Sequence, residues 1–376
     1  MRPRVLAIDD WVPDPRIGAG APRALSLLRA IIAAGSPLTL LPTLEDPTGQ
    51  ADPQALLPAA EIALGFGIKR IADFLRERGD DFDVVIVSRP HNMAAFRAAA
   101  RPETLAATVY DAEALFAARE ALQREVIGQP VFAELVARDL ADETALAKGT
   151  RMVLAVNAET AAAFRAAGHR DVRILGNAAT PRPGAAAFQQ RNGFLFVGPA
   201  YADDTPNADS LIWFVDCVLP KIRKELGRDV PLAVAGLQRA PLVRERAGSF
   251  TSLGLVDDLT ATYAAARVFV APTRFAAGLP IKVHDAAAHG LPAVVTPLLA
   301  GQLGWRHERE VLVAASPTEF AAQCLRLHGD AALWERLRAG GLKRVARDCD
   351  PARFERTVAA MLADAGASVR RSAQAR

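Results

Sequence analysis

Short apolar runs alternate with amphipathic stretches along almost the whole chain, which predicts strands and helices in turn. Val5 to Ile8 reads as the first strand. Leu25, Leu28 and Ile32 then recur at helical spacing over 22–34, and Gly35 stops that helix. Leu38 to Leu41 is the second strand, and 45–65, with Pro47, Pro53 and Pro58, reads as loop and short helix. A helix over 68–78 leads to a strand from Phe82 to Val87. Further strands are expected at 108–110, 153–156 and 172–175, with 114–147 mainly helical and solvated on its outer face. Residues 178–192 carry Pro, Gly and polar residues without periodicity, as an interdomain linker would. The pattern then restarts, with strands at 194–197, 232–235, 250–253, 268–270 and 293–295. Gly301 to Trp305 and His307 read as a polar return loop, and 317–329, 331–345 and 351–363 as helices. Two rounds of the same alternation predict two α/β domains, over 1–180 and 181–355. Residues 356–376 are expected to finish a return helix and end in a basic tail, Val369-Arg370-Arg371 through Arg376, touching anionic lipid only weakly.

The most informative stretch is 264–297. Its strand ends at Pro272, a loop from Thr273 to Pro280 carries Arg274, and a helix begins near Ile281, where the missing N–H of Pro280 costs nothing. Lys282 and Asp285 are three residues apart and so lie near one face of its first turns. Gly290 and Pro292 end the helix before the next strand. A crevice at strand carboxyl ends, with free helix N–H groups, suits an anionic ligand that also bears hydroxyls. Arg274 and Lys282 can face a phosphate or diphosphate, and Asp285 can accept from a ribose or sugar diol. The same residues also fit solvated surface charges and a helix-stabilising acid.

Composition narrows the classes. Length of 376 residues suffices for two cores, and 51% apolar with 23% charged residues is ordinary for a globular protein. Lys+Arg 45 against Asp+Glu 42, a net charge of +3, is too mild a balance to argue for nucleic acid. Cys217, Cys324 and Cys349 are dispersed and odd in number, which fits a reducing compartment and neither a disulfide framework nor a metal cluster. The start, Met1-Arg2-Pro3-Arg4, does not read as a signal peptide, and no apolar run is long enough for a membrane span. A cytoplasmic protein is expected, at most resting on the inner face of the cell membrane.

The run Arg274, Gly278, Lys282, Asp285, Ala286, Gly290, Pro292, Val294 and Thr296-Pro297 resembles the donor-site segment of the glycosyl transferases group 1 family. These are retaining, family 4-like enzymes, and the pattern is similar to a bacterial polysaccharide-biosynthesis subgroup. The resemblance implies the GT-B fold, two Rossmann-like α/β/α domains facing across a cleft. It implies no cofactor and no metal, a nucleotide-diphosphate sugar as donor substrate, and a glycan or lipid-linked glycan as acceptor. Asp285 occupies the second of two acidic positions separated by seven residues and is expected to hold the ribose. Ala277 falls at the first, so that acid is missing. The basic residue that many relatives carry near the strand at 194–197 is also missing, which shifts the phosphate role onto Arg274 and Lys282.

Other candidates are weaker from the residues alone. Gly18-Ala19-Gly20 is equally a packing turn or a ligand loop, and the resemblance directs it at the donor phosphates and sugar. Gly198 and Gly278 join it as expected donor contacts, with Leu255 and Val256 against the base. Ser88-Arg89-Pro90-His91-Asn92 leaves the carboxyl end of a strand, so His91 lines the cleft and contacts donor sugar or acceptor, or else only packs. His91, Arg274 and Lys282 are the expected catalytic groups. Asp111 or Glu113 orients an acceptor hydroxyl or caps a helix, and Glu159 stabilises a helix start or matches a family acid. Asp203 and Asp204 read as a helix approach, not a metal pair, and His284 and His289, five apart, point away from each other. The reading is transfer of a hexosyl group to a hydroxyl. Its rivals are a non-catalytic nucleotide-sugar binder and another GT-B enzyme such as an epimerase; a phosphorylase would need a pyridoxal-binding lysine that the sequence does not present.

Overall fold

The computed structural model describes residues 2–18, 20–49 and 51–374, with side chains to residue 366. Among them run two parallel sheets. The first contains β1 (Val5–Asp9), β2 (Leu38–Pro42), β3 (Ala60–Ile62), β4 (Val84–Ser88), β5 (Thr108–Ala112), β6 (Met152–Ala155) and β7 (Val172–Ile174), in the order β3-β2-β1-β4-β5-β6-β7. The second contains β8 (Asn192–Val197), β9 (Leu232–Ala235), β10 (Thr251–Gly254), β11 (Ala266–Ala271), β12 (Ala293–Val295) and β13 (Leu312–Val313), in the order β10-β9-β8-β11-β12-β13.

The runs VVIV in β4 and VFVA in β11 are apolar on consecutive positions because helices cover both faces of a parallel sheet. Val5 and Ala7 enter one core layer while Leu6 and Ile8 enter the opposite one. Phe194 and Phe196 likewise oppose Leu195 in the second sheet. The last helix, Pro351–Gln374, returns to the first sheet, where Phe354, Val358, Met361 and Leu362 share the layer of Val5 and Val84.

Several expected elements differ. Between Pro53 and Ile62 the chain makes a helical turn and then β3, an edge strand whose three residues are too few to show a period. The stretch 114–147 is two helices, Phe116–Val126 and Ala133–Ala145, parted at Gly128-Gln129-Pro130. Pro297–Leu303 is a helix, where a polar loop was expected from 301, with Leu299, Ala300 and Leu303 buried; Gly304 closes it in the left-handed conformation. The final helix extends past 363 to Gln374. The side chains of the basic tail and residue Ala19 of the glycine turn lie outside the described residues. No helix of the described residues is long and apolar enough to cross a membrane.

Candidate functional site

Each sheet reverses its winding once, between β1 and β4 in the first and between β8 and β11 in the second. Loops leaving the carboxyl ends on either side of such a reversal diverge and open a crevice. The two crevices face each other. Tyr201 donates its hydroxyl to the Ile17 carbonyl at 2.8 Å, Arg16 pairs with Asp257 at 3.0 Å, and Asn157 Nδ2 donates to the Gly278 carbonyl at 3.1 Å. Between them lies a cavity of about 700 Å³ lined from both sheets, with Gly18, Gly198, Lys282 and Asp285 in its wall.

Lys282 is the best-defined group there. Its Nζ donates to Asn207 Oδ1 at 2.6 Å and stands 5.0 Å from the centre of the Phe196 ring. Burial without a carboxylate partner lowers its pKa to about 8. Asn207 in turn donates to the Pro199 carbonyl at 2.8 Å, so it links the β8 loop to the lysine. A Cβ at Gly198 would sit 2.8 Å from that amide, which explains the glycine. One turn along the helix Ile281–Ala288, burial pushes Asp285 up to about 6, opposed by the charge of Arg182. Arg182 is exposed at the cavity mouth. His289 stacks on Tyr263 with ring centres 4.4 Å apart, and both line the same wall together with Val256.

Arg274 is held elsewhere. Its guanidinium grips Asp209 through two nitrogens, Nε at 3.0 Å, and it does not line the cavity. Asp209 lies in the first turn of the helix Pro206–Trp213, where an acid is favourable in any case. The loop reaches the first sheet at Gly278, whose φ is +90° and whose Cβ, if present, would meet the Glu113 carbonyl at 2.7 Å.

Around Glu113 lies a second polar cluster, at the carboxyl ends of β1, β4 and β5. Arg89 Nε contacts Asp9 Oδ1 at 2.9 Å and Asp10 Oδ2 at 3.2 Å, and its NH2 reaches Glu113 Oε2 at 3.2 Å. His91 Nε2 lies 2.6 Å from Asp10 Oδ1, which also accepts from Asn92 at 2.9 Å. Burial would raise Asp10, yet these bonds and the Arg89 charge hold it below the usual carboxylate value. Glu113 behaves oppositely: burial, with Asp9 and Asp111 adding to it against the opposing charge of Arg89, pushes it up to about 7. Gly20 belongs to this cluster, 3.5 Å from Arg89 and 3.7 Å from Glu113 at its Cβ position. Beneath it, Arg23 and Asp111 form a buried bidentate pair at 2.9 and 2.7 Å.

The candidates therefore fall in three places. Gly18, Gly198, Lys282 and Asp285 share the cavity; Gly20 and His91 belong to the neighbouring cluster, which Gly278 approaches; Arg274 is paired with Asp209. Asn207, Asp209 and Arg182 were missed as partners. Arg182 sits in the aperiodic stretch 178–192, and the two acid and amide partners looked like ordinary helix-start residues. His284 and His289 do diverge, toward different cavities. Among the described residues no group of three or more His, Cys, Asp or Glu could hold a metal ion.

Residues 191–330 match the family described as Glycosyl transferases group 1. That stretch contains the whole second sheet. Over the full chain, the structure is similar to sucrose-phosphate synthase from Thermosynechococcus elongatus, with TM-score 0.73 and 14% identity over 97% of this chain and 100% of that one. The fold is GT-B. A second structure, Anabaena HepE in complex with UDP-glucose, gives TM-score 0.70 and 13% identity over 96% of this chain and 99% of that one. WaaG, described as a glycosyltransferase involved in lipopolysaccharide biosynthesis, gives 0.66 and 14% over 95% and 99%. No curated protein matches the chain significantly.

Proposed function

We propose that the chain is a retaining glycosyltransferase that moves a hexosyl group from a nucleotide-diphosphate sugar to a hydroxyl of a polysaccharide or lipid-linked glycan. The single observation that carries this reading is that Lys282 and Asp285, on one helix, face the same interlobe cavity as Gly198 and Gly18, within or opposite the stretch matched to the group 1 family. In this reading 181–355 grips the nucleotide and 1–180 supplies the acceptor side, in the cytoplasm or at the inner face of its membrane.

Asp285 accepts from the ribose hydroxyls, while Lys282 and the first N–H groups of its helix meet the diphosphate. Arg182 adds charge at the cavity mouth, and Arg274 joins only if it leaves Asp209. As the anomeric C–O bond to phosphate breaks, negative charge grows on the departing oxygen, and contacts that strengthen there lower the barrier. The acceptor oxygen bonds to the anomeric carbon on the vacated face, and its proton passes to the departing phosphate oxygen. His91, fixed by Asp10, orients a sugar hydroxyl from the first lobe. No protein nucleophile is assigned.

Ala277 in place of an acid favours a second reading, a binder of nucleotide sugars without transfer. Incubating the protein with UDP-, GDP-, dTDP- and CDP-sugars and measuring nucleoside diphosphate release separates them. Release that rises with an added glycan acceptor supports transfer; tight binding with no release, even by slow hydrolysis, supports the binder.

A further inference from the structure

The interlobe cavity has a direction, set by the helix Ile281–Ala288. Lys282 stands in its first turn, Asp285 about one turn on and Ala288 about one turn further, all three in the cavity wall. At 1.5 Å per residue they mark off about 4.5 and 9 Å along the axis. With a diphosphate at Lys282 and a ribose at Asp285, the base falls at the Ala288 end.

That end carries its own charges. Arg182 is anchored there, its backbone N–H donating to the Ala288 carbonyl at 2.7 Å. Its side chain is exposed and has no hydrogen-bond or ion-pair partner among the described residues. In the same cavity wall, the loop after β10 supplies Val256, Asp257, Asp258 and Leu259. Val256 and Leu259 are half-buried, and Asp257 is tied to Arg16 at 3.0 Å. Asp258 is exposed, and its Oδ1 accepts from the Thr260 N–H at 2.9 Å. The bonds from Thr260, and less strongly the charge of Arg182, hold its carboxyl below the usual carboxylate range. Arg182 thus lies near both Asp258 and Asp285, since its charge acts on each.

A carboxylate near a guanidinium sorts the bases. Guanine presents two donors, N2–H and N1–H, and next to them two acceptors, O6 and N7, so one edge suits a carboxylate and the adjoining edge an arginine fork. Uracil and thymine set their one free ring N–H between two carbonyls, so a carboxylate there also meets a carbonyl oxygen. Cytosine and adenine offer only an exocyclic amino group beside ring acceptors.

We propose that the donor is a guanosine-diphosphate sugar, with Asp258 accepting from guanine N1–H and N2–H, Arg182 donating to O6 and N7, and Val256 and Leu259 against the ring. This rests on the reading of the interlobe cavity as the donor site.

Calorimetric titration of the intact protein with GDP, IDP, UDP, dTDP, CDP and ADP tests it, on the parent and on Asp258→Asn, Arg182→Ala and Lys282→Ala. GDP should bind about tenfold or more tightly than each of the others, including IDP, which lacks only the 2-amino group. Asparagine keeps an oxygen for the Thr260 N–H, so Asp258→Asn is expected to fold, and in it the preference for GDP over IDP should disappear. Arg182→Ala should weaken GDP and IDP alike, by about tenfold, and leave their ratio in place. A pyrimidine diphosphate bound as tightly as GDP, with binding still lost in Lys282→Ala, overturns the proposal and leaves the donor site standing. A preference for GDP over IDP that survives in Asp258→Asn overturns it too, as does unchanged GDP affinity in Arg182→Ala. No nucleotide bound by the folded protein, or binding indifferent to Lys282→Ala, overturns the donor-site reading itself.

Discussion

Lys282 Nζ lies 2.6 Å from the Asn207 amide oxygen, and the bond is to a neutral acceptor. Its ammonium is thus desolvated without being neutralised, a poised state that a diphosphate would complete. Lys282→Ala should weaken nucleoside diphosphate binding about 10- to 100-fold, the loss of about 1.5–3 kcal/mol for a charge-assisted bond. Because the free lysine has a pKa of about 8, affinity should hold below that pH and decline above it as the ammonium loses its proton. Titrations in a pH series check both points.

Asp285 predicts an opposition between stability and binding. Its folded pKa of about 6 stands above the ordinary 3.8, so between these values the folded state binds the extra proton. Stability therefore falls as pH rises through that window, and the cost of the buried charge is fully present above about pH 6. Asp285→Asn should stabilise the fold at neutral pH by on the order of 1–2 kcal/mol, reduced because the carboxyl opens on the cavity. The gain should shrink in acid, while nucleotide-sugar affinity falls. Denaturant melts near pH 5 and pH 7.5, with parallel titrations, read these effects.

Gly278 predicts a split between binding and turnover. A methyl group at φ +90° would press on the Glu113 carbonyl and push the 273–280 loop away from the first sheet. Gly278→Ala should leave nucleoside diphosphate affinity within about threefold and reduce nucleoside diphosphate release about tenfold or more. Steady-state kinetics beside direct binding distinguishes this from general unfolding.

The strand Ala266–Ala271 and the helix Ile281–Ala288 were legible in the sequence, because apolar runs, Pro280 and Gly290 are local signals that the buried strands and helix starts obey. Edge strand β3 was not, since three residues show no period. The fate of Arg274 was also hidden. A pattern of spacing reveals that an arginine sits in a loop, but its partner Asp209 is 65 positions away and meets it only through the packing of β8 against β11. Arg182 escaped notice for a related reason: aperiodic sequence looks like a linker whether or not the fold folds it over a cavity.

The Arg274 pair gives a further prediction. Asp209→Asn frees the guanidinium, and if Arg274 serves the diphosphate by leaving Asp209, that variant should bind nucleoside diphosphate more tightly than the parent, by a few-fold. The gain should vanish in the double variant with Arg274→Ala. Unchanged affinity in Asp209→Asn would make the pair a purely structural brace.

The most direct test of the interlobe cavity as the donor site is calorimetric titration of the intact protein with UDP-, GDP-, dTDP- and CDP-sugars, repeated for the best ligand on Lys282→Ala. Selective binding by one nucleotide class, lost or strongly weakened in the variant, is the predicted result. No binding across the panel by a folded sample, or binding indifferent to Lys282, would contradict it.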